Sequence, residues 1–307
     1  MQIFSSNTAK TCLSAFLTVS LSFSLSVNAD ESEQIKSSLM SRMTSSTNAF
    51  ISTGVKALLS PNFNTVEVST NLKEGDSSVD IGALKAYGDN PNSFIFNQIN
   101  LNRFDKRTTL NLGLGYRRLN ADETLMTGVN VFYDHEFPDN HTRSGVGVEL
   151  ISSPMQLRAN MYNGTSGFKN DKSGTDSKAL DGYDVSLKVA LPYMPGAFFE
   201  YNKYKWKAVE NAKDAEGKEY SLGGNLSDNL SFNFVRTDYD DASKNDINRV
   251  QLSYSWHFGG VSNKPTLFEI SNKAYQLRKL TTQKYDLVKR ENRIIKQKKF
   301  GATASGF

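Results

Sequence analysis

Cysteine is almost missing from these 307 residues: Cys12 is the single example. It also precedes the apolar core of the N-terminal stretch, which argues against a lipoprotein cleavage box. Without a second thiol the chain can form neither an internal disulfide nor a thiolate metal site. Histidine is nearly as scarce, with three copies. "DHEFPDNH" lacks the spacing of a metal-binding HExxH helix, so no metal and no cofactor are expected. "GLGYR" and "SGVGVE" pair their glycines inside strands, without the helix and Lys-Ser/Thr of a phosphate loop; glycine there is expected to keep a lumen open or let the sheet bend. Long apolar runs are missing too. Past residue 30 nothing approaches the roughly 18 consecutive apolar residues of a transmembrane helix, which excludes a helical membrane protein. A secreted soluble protein or a transmembrane β-barrel remains. The spans of the latter are only about 9 to 11 residues and alternate in polarity, in keeping with a mean hydropathy of −0.47.

What is present begins with "MQIFSSNTAKTCLSAFLTVSLSFSLSVNAD". One lysine, an apolar-rich run from Cys12 to Val27 and the ending Val27-Asn28-Ala29 read as a secretory signal peptide over 1–29. Residues 30–62 place Ile35, Leu39, Met43, Phe50, Ile51, Val55, Leu58 and Leu59 at helical spacing before Pro61, which predicts a short periplasmic helical segment. Charge is uneven along the chain. Residues 63–258 carry 21 bases against 26 acids, whereas residues 259–307 carry 11 bases against 3 acids. A basic tail is often a nucleic-acid segment, but an exported chain does not meet nucleic acid, so an anionic partner nearer home is expected.

Between these flanks the polarity alternates. "RVQLSYSWHF" puts Val250, Leu252, Tyr254, Trp256 and Phe258 on one side and Arg249, Gln251, Ser253, Ser255 and His257 on the other. Twelve such segments can be counted, near 64–72, 78–88, 93–102, 107–118, 124–135, 143–151, 154–162, 182–190, 197–206, 218–226, 229–237 and 248–258. Alternation alone is equally compatible with a soluble β-sandwich. The connections decide between them. Every second one is tight ("DNPN", "NADE", "SP", "PYMPG", "SD"), and the others are mostly longer and polar, above all 163–181, 207–218 and 238–246. Short periplasmic turns on one rim and longer extracellular loops on the other define an outer-membrane barrel. The fold expected is all-β: a twelve-stranded antiparallel barrel over 63–258, ending in the periplasm, with a basic tail over 259–307. Apolar side chains face lipid, because hydrocarbon offers the backbone no water and only a closed sheet satisfies it. Polar ones fill the lumen. Phe132, Tyr133, Tyr183, Tyr204, Trp206, Trp256 and Phe258, near strand ends, suit interfacial girdles.

Several stretches together resemble one family, the β-domain of the intimin/invasin adhesins or inverse autotransporters. They are "FNQINLNR" (96–103), "TLNLGLGYR" (109–117), "MTGVNVFYDHEF" (126–137), "HTRSGVGVELISSPMQLRANMYNG" (141–164), "DGYDVSLKVALPYMP" (181–195) and "YDLVKRENRII" (285–295). The resemblance implies a barrel in the outer membrane of a Gram-negative bacterium, through whose lumen the chain beyond the last strand reaches the cell surface. A crossing of about 30 Å takes roughly 10 extended residues or about 20 helical ones, so the tail is long enough. The threading stretch is expected to include Tyr285, Asp286, Leu287, Val288, Arg290, Glu291, Asn292 and Arg293. Asp80, Glu149, Asp184 and Glu200 face inward by alternation and are the carboxylates expected to hold this basic tail.

Members of the family usually continue into immunoglobulin-like domains, and this chain shows none, so the expectation is a translocator that displays its own tail or exports a partner protein in trans. The alternative is a shortened adhesin that binds a host-cell surface through its loops. Other partners expected are outer-membrane lipid, periplasmic chaperones and the barrel-assembly machinery. No enzyme is expected. Asp134, His135, Asp139 and His141 cluster at the extracellular rim, as a carboxylate-oriented base would, but a loop-closing hydrogen-bond network suffices to account for them.

Overall fold

A computed structural model describes residues 63–72, 77–88, 90, 92–170, 174–210, 212–258, 264–281 and 283–299. The signal peptide and the helical segment over 30–62 expected from sequence lie outside the described residues.

Strict alternation produces long antiparallel strands. The first seven are β1 (Thr65–Leu72), β2 (Ser78–Tyr87), β3 (Ser93–Phe104), β4 (Arg107–Leu119), β5 (Leu125–Phe137), β6 (Thr142–Ser152) and β7 (Met155–Gly164). Two short strands follow in the long extracellular connection, β8 (Lys169–Asn170) and β9 (Asp176–Ala179). Five more complete the wall: β10 (Gly182–Leu191), β11 (Met194–Trp206), β12 (Ala215–Asn225), β13 (Leu230–Tyr239) and β14 (Ile247–His257). The twelve wall strands pair with their neighbours, and β1 closes the barrel on β14 in the register Thr65↔His257 to Leu72↔Val250. No sheet edge is left in the wall, as hydrocarbon requires.

Polarity is inverted relative to a soluble protein. Leu112, Leu114 and Tyr116 of β4 and Val129, Val131 and Tyr133 of β5 are exposed on the outer surface. Their alternates Asn111, Arg117, Asn130 and Asp134 are buried in the interior. On β14 four of the inner-face side chains are hydrogen-bonded. Arg249 bonds Thr237 and Glu219, Gln251 accepts from Asn233, Ser255 donates to Glu67, and His257 meets Asp286. Val250, Leu252, Tyr254 and Trp256 take the opposite face, in register with Leu72, Thr70, Val68 and Val66. Phe258 lies one residue past the strand and donates its N–H to Asn64 O.

Four expectations need correction. "PYMPG" is not a five-residue turn: only Pro192 and Tyr193 connect β10 to β11, with Tyr193 at φ 63°, and the strand resumes at Met194. The lumen is not polar throughout. Phe94, Phe96, Leu119, Met126, Phe132 and Ile151 turn inward and form one apolar cluster with Leu280, Leu287 and Val288 of the tail. Phe132 and Trp206 are therefore not girdle residues; both are almost fully buried, and Tyr204 lines the lumen beside Trp206. Finally, the glycines of "GLGYR" do not keep the pore open, although Gly145 of "SGVGVE" does leave space for Arg290 of the tail. A Cβ on Gly113 would collide with the ring of Phe132, and one on Gly115 with that of Phe96. Glycine on one strand is the recess for an aromatic ring on the next.

That fit is testable. Gly113→Ala is expected to destabilise the barrel by about 1–3 kcal/mol through overpacking. Adding Phe132→Leu should recover part of the loss, read from guanidinium unfolding midpoints of the refolded protein by tryptophan fluorescence.

Candidate functional site

The site is the lumen itself, and its occupant is the chain's own C-terminal segment. Within the described part of the tail, 264–281 and 283–299, the regular elements are one 3-10 turn, Gln283–Tyr285, and a three-residue strand, β15 (Lys296–Lys298). The remainder is extended or irregular, because barrel side chains take up its backbone groups where a helix would have paired them internally.

At the periplasmic end, Arg117 is held by Glu149 at 3.1 Å. Its Nη1 donates to the carbonyls of Lys284 (2.8 Å) and Asp286 (2.6 Å), and its guanidinium lies over the Phe96 ring at 4.7 Å. His257 and Lys264 both reach the Asp286 carboxylate, at 3.1 and 3.0 Å. Tyr285, Leu287 and Val288 then pack into the apolar cluster. The Val288 N–H is not stranded there, since Gln98 Oε1 accepts it at 2.8 Å.

The middle of the lumen is ionic. Arg290 places Nη1 and Nη2 on the two carboxylate oxygens of Asp134 at 2.7 and 2.8 Å, and Arg143 adds its Nε at 2.8 Å. All three side chains are essentially inaccessible to solvent. Aromatic faces sandwich the cations: Arg290 lies 4.3 Å from the Phe132 centroid, and Arg143 lies 4.4 Å from that of Tyr162. Such stacking suits guanidinium, which is weakly hydrated and planar. Arg143 Nη2 also donates to Glu291 O (2.6 Å), while the Glu291 N–H donates to Tyr162 Oη (2.8 Å). Lys289 pairs with Glu67 at 2.5 Å, and Arg293 folds back onto Glu291 at 2.9 Å.

Near the extracellular mouth, Asn111 donates to Asn292 O (3.0 Å) and Asn292 to Asp80 Oδ1 (3.2 Å). Lys296 bridges Glu136 and Asp139 at 2.7 and 2.8 Å. β15 then pairs antiparallel with β9, which itself pairs with β8, forming a three-stranded sheet on the outer rim. Neither sequence periodicity nor composition signals this sheet, since its strands are two to four residues long.

The four carboxylates expected to hold the tail divide differently. Asp80 meets the tail through Asn292, a hydrogen bond rather than an ion pair. Asp184 is occupied by Tyr162 (2.5 Å) and Asn160 (2.8 Å), which in turn hold the tail backbone. Glu149 is bound by the barrel's Arg117, with Arg158 at 3.7 Å. Glu200 lines the lumen opposite Lys188 in the β10–β11 register. The carboxylates that pair with tail bases inside the lumen and at its mouth are Asp134, Glu67, Glu136 and Asp139, and at the two rims Glu123 meets Lys279 and Glu210 meets Lys299. Alternation also puts Asp134 and Glu67 inside, so the signal was available. What selects them is height along the barrel, which alternation does not encode.

The rim cluster is likewise committed to structure. Asp134 is saturated by arginines and Asn111, Asp139 holds Lys296, and His135 Nε2 contacts Asn140 Oδ1 at 3.1 Å. His141, fully buried, contacts Ser166 Oγ through Nδ1 and Ser177 Oγ through Nε2, each at 3.0 Å. Those hydroxyls can satisfy the neutral ring, one donating and one accepting. Burial, reinforced by the Lys296 ammonium, pushes its pKa down to about 4. Among the described residues no three or more His, Cys, Asp or Glu side chains are placed to share a metal ion. A polar cavity of about 510 Å³ remains beside the tail, along β10–β14 and β1.

A closed barrel with lipid-facing apolar strands and a lumen occupied by its own C-terminal segment defines an outer-membrane β-barrel protein. The chain belongs to the inverse autotransporters: it matches the family described as "Inverse autotransporter, beta-domain" over residues 17–292. It is 31% identical to an intimin of Citrobacter freundii over 247 residues, covering 76% of this chain and 25% of that protein. It is 25% identical to the inverse autotransporter adhesin YeeJ of Escherichia coli K12, covering 76% of this chain and 10% of YeeJ. This chain thus spans a quarter or less of either relative. A solved chain from work on in-meso crystallisation of membrane proteins shares the fold, with a TM-score of 0.67 at 22% identity, covering 77% of this chain and all of that one. The protein therefore resides in the outer membrane of a Gram-negative bacterium, in contact with its lipid, and its relatives carry the names of adhesins, intimins and invasins rather than of enzymes.

Two outcomes follow from the site. Asp134→Ala strands two buried guanidinium groups and is expected to cost about 3–5 kcal/mol; Arg290→Ala, which leaves Asp134 with Arg143, should cost less, both read from unfolding midpoints. His141 titrates near 4 when folded and near 6.5 when unfolded. The unfolded state therefore binds the proton first as the medium is acidified. Stability contributed by His141 should be complete above pH 6.5 and lost progressively down to pH 4. His141→Asn should flatten that part of the stability profile.

Proposed function

We propose that the barrel passes its C-terminal segment through its own lumen to the cell surface and then holds it there, serving as translocator and anchor of a displayed chain. The observation that carries this reading is the continuous set of contacts from the periplasmic rim, at Arg117, to the extracellular sheet, at β9 and β15. The twelve residues from Lys284 to Ile295 span that distance, close to what an extended chain needs to cross about 30 Å.

Release of a separate protein in trans fits the same structure less well, since the path is occupied in cis. Attachment to a host or neighbouring cell is the use of display that the relatives' names support. Before insertion the strands carry their apolar face through an aqueous periplasm. That exposure makes holding chaperones and a barrel-assembly machinery the natural partners on the way.

A peptide tag fused after Phe307 should bind antibody on intact cells, with a periplasmic tag as permeability control. Binding only after permeabilisation would overturn the proposal and leave a plugged barrel that displays nothing.

A further inference from the structure

Before the tail enters the lumen it runs along the periplasmic rim. The Leu267 N–H donates to Asn225 O (2.7 Å), that of Ser271 to Tyr193 O (2.8 Å), and that of Tyr193 to Ala274 O (3.0 Å). Ser153 Oγ donates to Gln276 O (3.0 Å) and accepts from the Arg278 N–H (2.8 Å), and the Leu280 N–H donates to Glu123 O (2.8 Å). Asn225, Tyr193, Ser153 and Glu123 mark four successive connections, between β12 and β13, β10 and β11, β6 and β7, and β4 and β5. The segment 264–281 is thus a strap laced under eight of the twelve wall strands.

Leu280 of the strap is fully buried, yet Phe268 is 77% exposed, Ile270 70%, Leu277 62% and Tyr275 52%. Phe268 and Ile270 are more exposed than any large apolar residue of the lipid-facing wall, where Met161 reaches 66%. Four large apolar side chains on one short segment are not a surface expected to face water. The strap is hydrogen-bonded to the connections at Tyr193, Ser153 and Glu123, beside Tyr193, Met155 and Leu125, which are themselves exposed. The head-group layer occupies that level, since it adds roughly 5–8 Å to each side of the hydrocarbon. The strap is also basic, with Lys264, Lys273, Arg278 and Lys279 against Glu269.

We infer that the strap is a collar seated in the periplasmic leaflet. Phe268, Ile270, Tyr275 and Leu277 enter the boundary between head groups and acyl chains, and Lys273 and Lys279 lie at the phosphates of anionic phospholipid, Lys279 while also approaching Glu123 at 3.5 Å and remaining 66% exposed. This is the way an amphipathic segment rests on a bilayer. The collar fixes the height of the barrel in the membrane and, through the hydrogen bonds above, the point where the tail turns into the lumen.

The test uses the full chain reconstituted in phosphatidylcholine vesicles containing phosphatidylglycerol. Phe268→Trp adds a reporter, with the emission of native Trp206 and Trp256 subtracted. The added tryptophan should lose most of its emission to acyl chains brominated near the carbonyl and little to aqueous iodide. Leu277→Trp, at the other end of the strap, should behave alike. Lys273→Gln with Lys279→Gln should raise iodide access in the anionic vesicles and leave it unchanged in pure phosphatidylcholine. Tryptophans quenched by iodide and indifferent to bromolipid would overturn the inference and make the strap a water-facing surface for a soluble periplasmic protein. Iodide access that does not respond to loss of the lysines would overturn its phosphate-binding part.

Discussion

The structure depends on the bidentate pair between Arg290 and Asp134. Both side chains are out of reach of water, and Arg143 shares the same carboxylate. Dehydrating one carboxylate and two guanidinium groups costs several kcal/mol per ion, so such a site is weak evidence of net stabilisation. Its value lies in the consequence of leaving it incomplete. A tail slipped by one residue would turn Arg290 away from Asp134 and bring Lys289 or Glu291 toward the centre, stranding charge in a dry lumen. A buried polar group that penalises every wrong register is the best-attested use of such pairs. Here it specifies the height at which the tail stops.

Three kinds of contact divide the work along the barrel. An apolar cluster packs around Leu287 and Val288 in the periplasmic half, the ion pair sets the register in the middle, and β15 adds backbone hydrogen bonds to β9 outside. The layers are unlike in their demands. Apolar contacts tolerate sliding, ionic contacts with bidentate geometry do not, and strand pairing tolerates it only in steps of two residues. A chain moving through the pore would therefore find no resting position as good as the one observed. The cavity of about 510 Å³ beside it leaves room on the β10–β14 side of the lumen without loosening the contacts on the β3–β7 side.

Much of this was legible in the sequence, and the parts that were not share a cause. Period-two alternation located all twelve wall strands, because lipid outside and polar groups inside impose opposite requirements on successive residues. It also put Asp80, Asp184 and Glu200 on the lumen side. Alternation carries no information about height or about the angle around the barrel, however. Glu149 was therefore expected to hold the tail and is instead neutralised by Arg117 of the wall, while Asp134 appeared only among residues weighed for catalysis. Phe132 and Trp206 stood near strand ends, where girdles and lumenal packing look alike in one dimension. The clue was in the partner strand: Gly113 and Gly182 are glycine because those rings need the space. The three blocks "FYDHEF", "HTRSG" and "KRENR" meet at Asp134, Arg143 and Arg290, about 150 residues apart in sequence for the last pair. The rim sheet of β8, β9 and β15 was invisible because strands so short have no period.

The central claim is that the tail fills the lumen in this register and is clasped at the outer rim, and one disulfide tests it most directly. Lys178 and Gln297 face each other across the β9–β15 pair, and directly opposed residues of an antiparallel ladder sit about 4.5–5.5 Å apart at Cα, within disulfide range. Cysteine at both positions, in a chain whose one native thiol is Cys12, should form an intramolecular disulfide in growing cells, seen as a reduction-sensitive mobility shift. Pairing Gln297→Cys with Asp176→Cys, two residues out of register, should not. Two free, reactive cysteines at 178 and 297 in the assembled barrel would contradict the account.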